Sequence, residues 1–247
     1  MHYIVFDLEF NQEIPSLQEK KKYPCPFEII QIGAVKLDSR WKTVGTFNRL
    51  IKPTLFERVN PFITELTGIT TENLQEESLF PDVYKDFLEF IESVESVFCV
   101  WGMTDMKELY RNAEYHGLDQ SLLPKGYLNI QPYCTKHFHL PAKSLLKLEN
   151  AVSLLNLPVD AHFHDALNDA CYTAEIMKAI YEPSMLPKVY DPAYIPVRPP
   201  RQRKKVIDFE GLLHQFQKMY ERELTQEEAG MIKTAYQMGK TKQFLKE

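Results

Sequence analysis

Five residues of this chain have types and an order that suit phosphodiester hydrolysis on two metal ions. They are Asp7 and Glu9 in F-D-L-E-F-N, Asp105 in W-G-M-T-D-M, and His164 with Asp169 in H-D-A-L-N-D. Carboxylate oxygens are hard donors that suit Mg²⁺ or Mn²⁺ better than zinc. Two such ions can hold a phosphodiester and its attacking water together. A histidine, with an ordinary pKa of about 6.5, accepts a proton near neutral pH. A D-x-E triplet alone is common and usually a solvated strand end, so the reading rests on all five residues together.

The elements around these residues must aim them. Tyr3-Ile4-Val5-Phe6 is an apolar, β-prone run and reads as a buried strand. Residues two apart on a strand point the same way, so Asp7 and Glu9 project together while Leu8 and Phe10 face the other side. Val97-Phe98-Cys99-Val100-Trp101 reads as a second buried strand. Gly102 breaks it, and Thr104 is placed to cap a helix that carries Asp105 and runs to about Tyr115. From Asp165 to Tyr181 the apolar residues keep helical spacing, with Asp165 or His164 at the start. His164 and Asp169 are five residues apart, about 140° around an ideal helix. They can converge only if His164 lies in the loop before the first turn. On residue types alone, His162 competes with His164, and Asp165 with Asp169.

These motifs resemble those of the DEDDh 3′–5′ exonucleases of the ribonuclease-H-like superfamily, the group of ribonuclease T and the proofreading subunit of bacterial DNA polymerase III. The D-x-E motif falls on Asp7 and Glu9, the second Asp on Asp105, and H-x-x-x-x-D on His164 and Asp169. Asn168 stands where many members carry a further Asp, which favours Asp169. Glu28-Ile29-Ile30-Gln31-Ile32-Gly33-Ala34-Val35 is similar to the family's second strand, and Leu66-Thr67-Gly68-Ile69-Thr70 to its characteristic turn. The likeness covers residues 1–182. Its text is similar to that of Eri-1-like RNA exonucleases and of KapD-type bacterial proteins, inhibitors of a sporulation pathway.

The resemblance implies a fold, a reaction and a site. The fold is an α/β ribonuclease-H-like mixed sheet flanked by helices, here with a C-terminal helical extension. The reaction is release of nucleoside 5′-monophosphates from a free 3′ end of single-stranded nucleic acid, RNA more than DNA. Two divalent ions, Mg²⁺ or Mn²⁺, are expected on Asp7, Glu9, Asp105 and Asp169, with Asp7 touching both and His164 as general base. Phe10 and Phe163 are candidate platforms for bases, and Asn11, Thr67 and Gly68 candidate contacts to the terminal nucleotide. A DNA proofreading or repair exonuclease would share every one of these residues. A regulatory binding module on the same fold would have no need of four clustered carboxylates.

Composition sets the remaining expectations. The chain has 247 residues, generous aromatic content and moderate charge, so it is globular. The cysteines (Cys25, Cys99, Cys134 and Cys171) lack metal-binding spacing and read as reduced thiols. Without a leader-like segment or an apolar run near the roughly 18 residues of a membrane span, a cytoplasmic protein with no membrane partner is expected. Strands are expected at 3–9, 28–37, 43–51, 97–101 and 127–131. Helices are expected near 60–67, 80–93, 104–115 and 144–156, before the one that carries Asp169. The exonuclease domain would span 1–182, a proline-rich and basic linker 183–207, and a helical tail 208–247. In that tail Phe209, Leu212, Leu213, Phe216, Met219 and Tyr220 keep helical spacing, and Thr225 with Glu228 forms a capping box for a helix ending at Gly239. About 40 residues bury too little to be secure alone, so the tail is expected to dock on the body or on a protein partner.

Charge is divided unevenly. Residues 198–247 hold 11 Lys and Arg against 7 Asp and Glu, a net of +4, whereas residues 1–197 hold 18 against 27, a net of −9. A basic tail on an acidic body suits capture of polynucleotide, which shows as salt dependence. A chain ending near Pro196 is expected to keep turnover on short oligonucleotides. It should bind long ones more weakly, with a shallower slope of log affinity against log salt. An unchanged slope would remove the capture role.

Overall fold

A computed structural model describes residues 2–14, 23–141, 143–194 and 207–241. The chain divides into two compact units, Met1–Tyr194 and Ile195–Glu247. In the first, β1 (Tyr3–Gln12), β2 (Phe27–Leu37) and β3 (Thr43–Leu50) form an antiparallel meander, turned at Asp38, whose carboxylate accepts the N–H of Arg40 and Lys42. Helices α1 (Pro61–Thr67), α2 (Thr71–Leu74) and α3 (Phe80–Ile91) follow, and then the chain alternates: β4 (Val97–Val100), α4 (Thr104–Tyr115), β5 (Gly126–Asn129), α5 (Ile130–His137), α6 (Leu148–Leu154) and α7 (Ala166–Ile180). A short β6 (Lys188–Val189) completes a six-stranded mixed sheet ordered β3-β2-β1-β4-β5-β6, with β1, β4 and β5 parallel.

The sheet has a core on each face. Ile4, Phe6, Leu8, Phe98 and Val100 pack against α3 and α4 through Phe87, Ile91, Met106 and Leu109. Val5, Val35, Cys99 and Leu128 pack against α5, α6 and α7 through Cys134, Val152, Ala170 and Met177. The alternation of β1 therefore puts Asp7 and Glu9 on the α7 face, as residues of one parity with Val5. A register shift between Glu9 and Phe10 marks a bulge there, a device that bends a strand and re-aims its side chains.

Gly33 of β2 sets how closely α7 can approach. A Cβ on Gly33 would lie 2.1 Å from the backbone carbon of Ala166 and from the nitrogen of Leu167. The first turn of α7 rests on the bare backbone of β2. Two residues before, Gln31 is buried and grips the same turn. Its Nε2 donates to Asp165 Oδ2 at 2.9 Å, and its Oε1 accepts the N–H of Ala166 at 3.2 Å.

Several expectations need correction. Thr104 does not cap α4; it is the first helical residue, after Met103. The helix expected near 144–156 is only Leu148–Leu154, and α2, α5 and β6 were not foreseen. The described part of the expected linker, 183–194, belongs to the body. Met185 is buried, β6 pairs with β5, and Tyr190 packs on Tyr110 with ring centroids 4.8 Å apart. Prolines forbid a helix through this stretch but not a short edge strand. The basic run at 198–205 lies outside the described residues. Cys25, Cys99 and Cys134 are buried free thiols, and Cys171 is a free, exposed one. Among the described residues, no helix is long and apolar enough to cross a membrane.

In the second unit α8 (Phe209–Tyr220) starts at Asp208, which accepts the N–H of Gly211, and α9 (Gln226–Lys240) starts at the capping box of Thr225 and Glu228. Arg222 forks onto both oxygens of Glu228. Phe209 and Tyr236 meet edge to face, yet neither helix has a buried residue.

The close approach at Gly33 gives a test. Backbone cannot yield as a flexible side-chain end would, so Gly33→Ala must push α7 off the sheet. A destabilisation on the order of 3 kcal/mol is expected, which lowers Tm by roughly 6–12 °C for a chain of this size. An unchanged Tm would mean that the close approach is not required.

Candidate active site

The five residues singled out by type and spacing lie on three sides of one end of the sheet. Asp7 and Glu9 project from β1, Asp105 from the first turn of α4, and Asp169 from the first turn of α7. His164 sits in the loop before α7. Ligand atoms of Glu9, His164 and Asp169 all lie within 4.8 Å of one another. Asp105 stands close enough to Asp7 for its charge to raise that carboxyl.

The loop geometry separates the competing pairs. His164 has φ 65°, the left-handed region that non-glycine residues rarely adopt. Its N–H donates to Asp169 Oδ2 at 3.2 Å, so the strained residue is tied to the carboxylate beside which its ring must stand. His162 is exposed and offers its carbonyl to Asn168 Nδ2. Asp165 is spent on structure: Oδ1 accepts the N–H of Asn168 as the helix cap, and Oδ2 accepts Gln31. Asp169, not Asp165, is left with an open oxygen.

Other proposed contacts fare differently. Asn11 is fully buried, its amide donates to the carbonyls of Phe56 and Arg58, and its Oδ1 accepts the N–H of Asn60. It shapes the loop before α1 and has no donor left for a nucleotide. Gly68 caps α1 at φ 75° with open space around it, so its role is conformational. Thr67 closes the same turn, donating to the Ile63 carbonyl and accepting the N–H of Ile69. Phe10 packs on the α3–α4 core near Phe27, and Phe163 packs on Tyr172 with centroids 4.8 Å apart; both are partly exposed. Glu149 of α6 was not foreseen. Its Oε1 lies 3.7 Å from His164 Nε2, a meeting of elements for which no local pattern exists.

Electrostatically the site is under tension. Burial raises the Glu9 carboxyl to about 8, helped by the charges of Asp169 and Asp105. Burial raises Asp105 to about 7 and Asp169 to about 6, although backbone hydrogen bonds pull the other way. Asp7 is pushed well above its ordinary value by burial, then by Asp105, Glu9 and Asp169. Asp169 Oδ1 is buried and has no hydrogen-bond partner among the described residues. Crowded carboxylates and an orphaned anionic oxygen need positive charge between them. The residues present fit divalent cations held by oxygen.

Comparison with known proteins agrees with this geometry. The model of a family described as Exonuclease, RNase_T, matches residues 4–177. DNA polymerase III PolC-type of Caldanaerobacter subterraneus is 30% identical over 149 residues, covering 60% of this chain and 10% of that protein. Human ERI1 exoribonuclease 3 is 25% identical over 189 residues, covering 72% of this chain and 53% of that protein. The chain thus spans about half of one relative and a tenth of the other. The nuclease domain of 3′hExo, a DEDDh family member bound to rAMP, superposes with a TM-score of 0.64 at 21% identity, over 77% of this chain and 96% of that one.

The raised carboxyls predict a pH dependence. The folded chain takes up protons that the unfolded chain does not. Metal-free stability should therefore fall as pH rises from about 4, where unfolded carboxyls ionise, through about 8, where Glu9 ionises in the fold. In chelator, melting at pH 8 should be lower than at pH 5, and Glu9→Gln should raise it at pH 8 and flatten the trend. Mg²⁺ or Mn²⁺ should restore stability most at the alkaline end. A Glu9→Gln variant no more stable than the parent at pH 8 would show that the crowding is relieved in another way.

Proposed function

Because the chain belongs to the RNase_T exonuclease family, we propose that it is a metal-dependent 3′–5′ exonuclease that shortens single-stranded nucleic acid, RNA in preference to DNA, to nucleoside 5′-monophosphates. The observation that carries this reading is the convergence of Glu9, His164 and Asp169 within 4.8 Å, beside Asp7 and Asp105. Asp7, Glu9, Asp105 and Asp169 are the residues that would hold two divalent ions, Mg²⁺ or Mn²⁺. When bound, the ions supply positive charge to the phosphate oxygens and make water acidic enough to be deprotonated near neutral pH.

The chain's own groups do the rest. His164 takes the proton of the attacking water at its imidazole. Its backbone bond to Asp169 holds the ring over the carboxylates, and partial exposure leaves it room to approach. Glu149 Oε1 lies 3.7 Å from Nε2, on the approach to the ring from α6. Gln31 and Gly33 hold the first turn of α7, and with it Asp169, against β1 and β2.

The preference for RNA is supported by the longer match, to an exoribonuclease over 72% of this chain. The DNA alternative has an observation of its own, the higher identity to a DNA polymerase III segment. Reading the 2′-hydroxyl is what separates the two. Matched RNA and DNA oligonucleotides labelled at the 5′ end decide it: the RNA should shorten faster, and faster loss of DNA would reverse the preference.

Turnover is expected to stop in chelator and return with Mg²⁺ or Mn²⁺, while Ca²⁺, with its larger and looser coordination, should bind without restoring it. His164→Ala should lower kcat on the order of a hundredfold or more, and Asp7→Ala should be the most damaging ligand change. His162→Ala should stay near the parent. Full activity in chelator, or a dead His162→Ala beside an active His164→Ala, would overturn the assignment.

A further inference from the structure

The body carries a second cleft that the proposed catalytic residues do not use. A cavity of about 290 Å³ opens beside β5 and α5, with Met103, Tyr127, Asn129, Tyr133, Lys136 and Lys188 in its walls. Its place follows from topology. The helix after β4 crosses to one face of the sheet, where Met106 and Leu109 of α4 join the core with Phe98. The helix after β5 crosses to the other face, where Ile130 and Cys134 of α5 join the core with Val5. Parallel strands whose connections diverge leave a crevice at their carboxyl ends, a place where α/β sheets bind ligands.

The cleft is joined to the metal-binding end through the β4–α4 loop. Asn129 Oδ1 accepts the N–H of Gly102 at 3.1 Å and that of Gln131 at 3.2 Å, so one side chain fixes both the start of α5 and the loop leading to Asp105. Met103, two residues before Asp105, forms part of the wall. The wall of the cleft and Asp105 are therefore neighbours along one short stretch of chain.

The lining chemistry selects the ligand. Lys136 and Lys188 come from different elements, α5 and β6, and neither forms an ion pair among the described residues. Among the described residues no carboxylate lines the cleft, although the body as a whole is acidic. Lys136 in the last turn of α5 also complements that helix's dipole, but Lys188 on an edge strand has no such role. Tyr127 and Tyr133 add partly exposed rings on the same walls. Unpaired ammonium groups beside aromatic faces are what a single strand requires, one for phosphates and the other for unstacked bases.

We infer that this cleft holds the stretch of single-stranded nucleic acid next to the terminal nucleotide, with its backbone on Lys136 and Lys188 and a base against Tyr133. The inference rests on the exonuclease reading for its substrate class and adds the path of the strand. It makes affinity for long substrates depend on residues that have no part in the reaction.

The experiment uses the whole chain and two substrates with Mn²⁺: a single strand of about twelve nucleotides, and the p-nitrophenyl ester of thymidine 5′-monophosphate, too small to reach the cleft. A Lys136→Gln, Lys188→Gln double variant changes only exposed side chains and should fold normally. Its KM for the long strand should rise on the order of tenfold with kcat and the small-ester reaction unchanged. The slope of log affinity against log salt should become shallower by roughly 1.4, about 0.7 for each phosphate that a lysine no longer neutralises. Tyr133→Ala should weaken long-strand binding by a similar factor, and Tyr133→Phe should restore it. A double variant with the parent's KM and salt slope overturns the inference. If the parent turns over neither substrate, the exonuclease reading fails separately. The cleft is then judged by fluorescence anisotropy of the labelled strand in Ca²⁺, where loss of affinity in the double variant supports it and equal affinity overturns it.

Discussion

The packing of the bare backbone of β2 at Gly33 against the first turn of α7 is the constraint on which the rest of the site depends. Helices normally stand off a sheet by the thickness of their side chains, and a Cβ at position 33 would meet backbone at 2.1 Å. Glycine removes that spacer, and Gln31 converts proximity into registration by binding Asp165 and the Ala166 N–H together. Asp169 lies one turn further, so its position relative to Glu9 is inherited from this packing. The His164 loop is tied in turn to Asp169.

The same packing that aims the carboxylates also opposes them. Four acidic groups are crowded at one end of the sheet, each held above its ordinary pKa by burial and by its neighbours. Metal-free, this arrangement lowers stability as the groups ionise. The orphaned Asp169 Oδ1 is the local sign of it. A site that is unfavourable when empty and satisfied by cations is preorganised for them, because the geometric and electrostatic work is done during folding.

Support for β1 comes from residues that do no chemistry. Asn11 ties the end of the strand to the 56–60 segment. Glu28 gathers the backbone N–H groups of Leu55 and Phe56. Asn112 of α4 receives the N–H of Ile29 and donates to the Phe27 carbonyl, joining the element that carries Asp105 to the sheet. Each of these side chains is buried and saturated by backbone, where an unmet hydrogen bond would be costly.

The sequence by itself determined the fold class, most elements and the five candidate residues, because those depend on local rules. Period-two alternation put Asp7 and Glu9 on one face, and helical spacing with an Asp cap located the helix of Asp169. Residue type suggested hard cations. Position 11 was misread because Asn is as able to bind a nucleotide as to satisfy a loop, and only three-dimensional neighbours tell which. Residue types alone left His162 beside His164 and Asp165 beside Asp169, and the likeness to the family motif chose His164 and Asp169. The fold adds the physical setting, a left-handed φ at 164 and a glutamine 134 residues away in sequence that occupies Asp165. Glu149, β6 and the lysine-lined cleft were decided by tertiary structure alone, since each arises where elements distant in sequence meet, and neither periodicity nor motif spacing encodes that meeting.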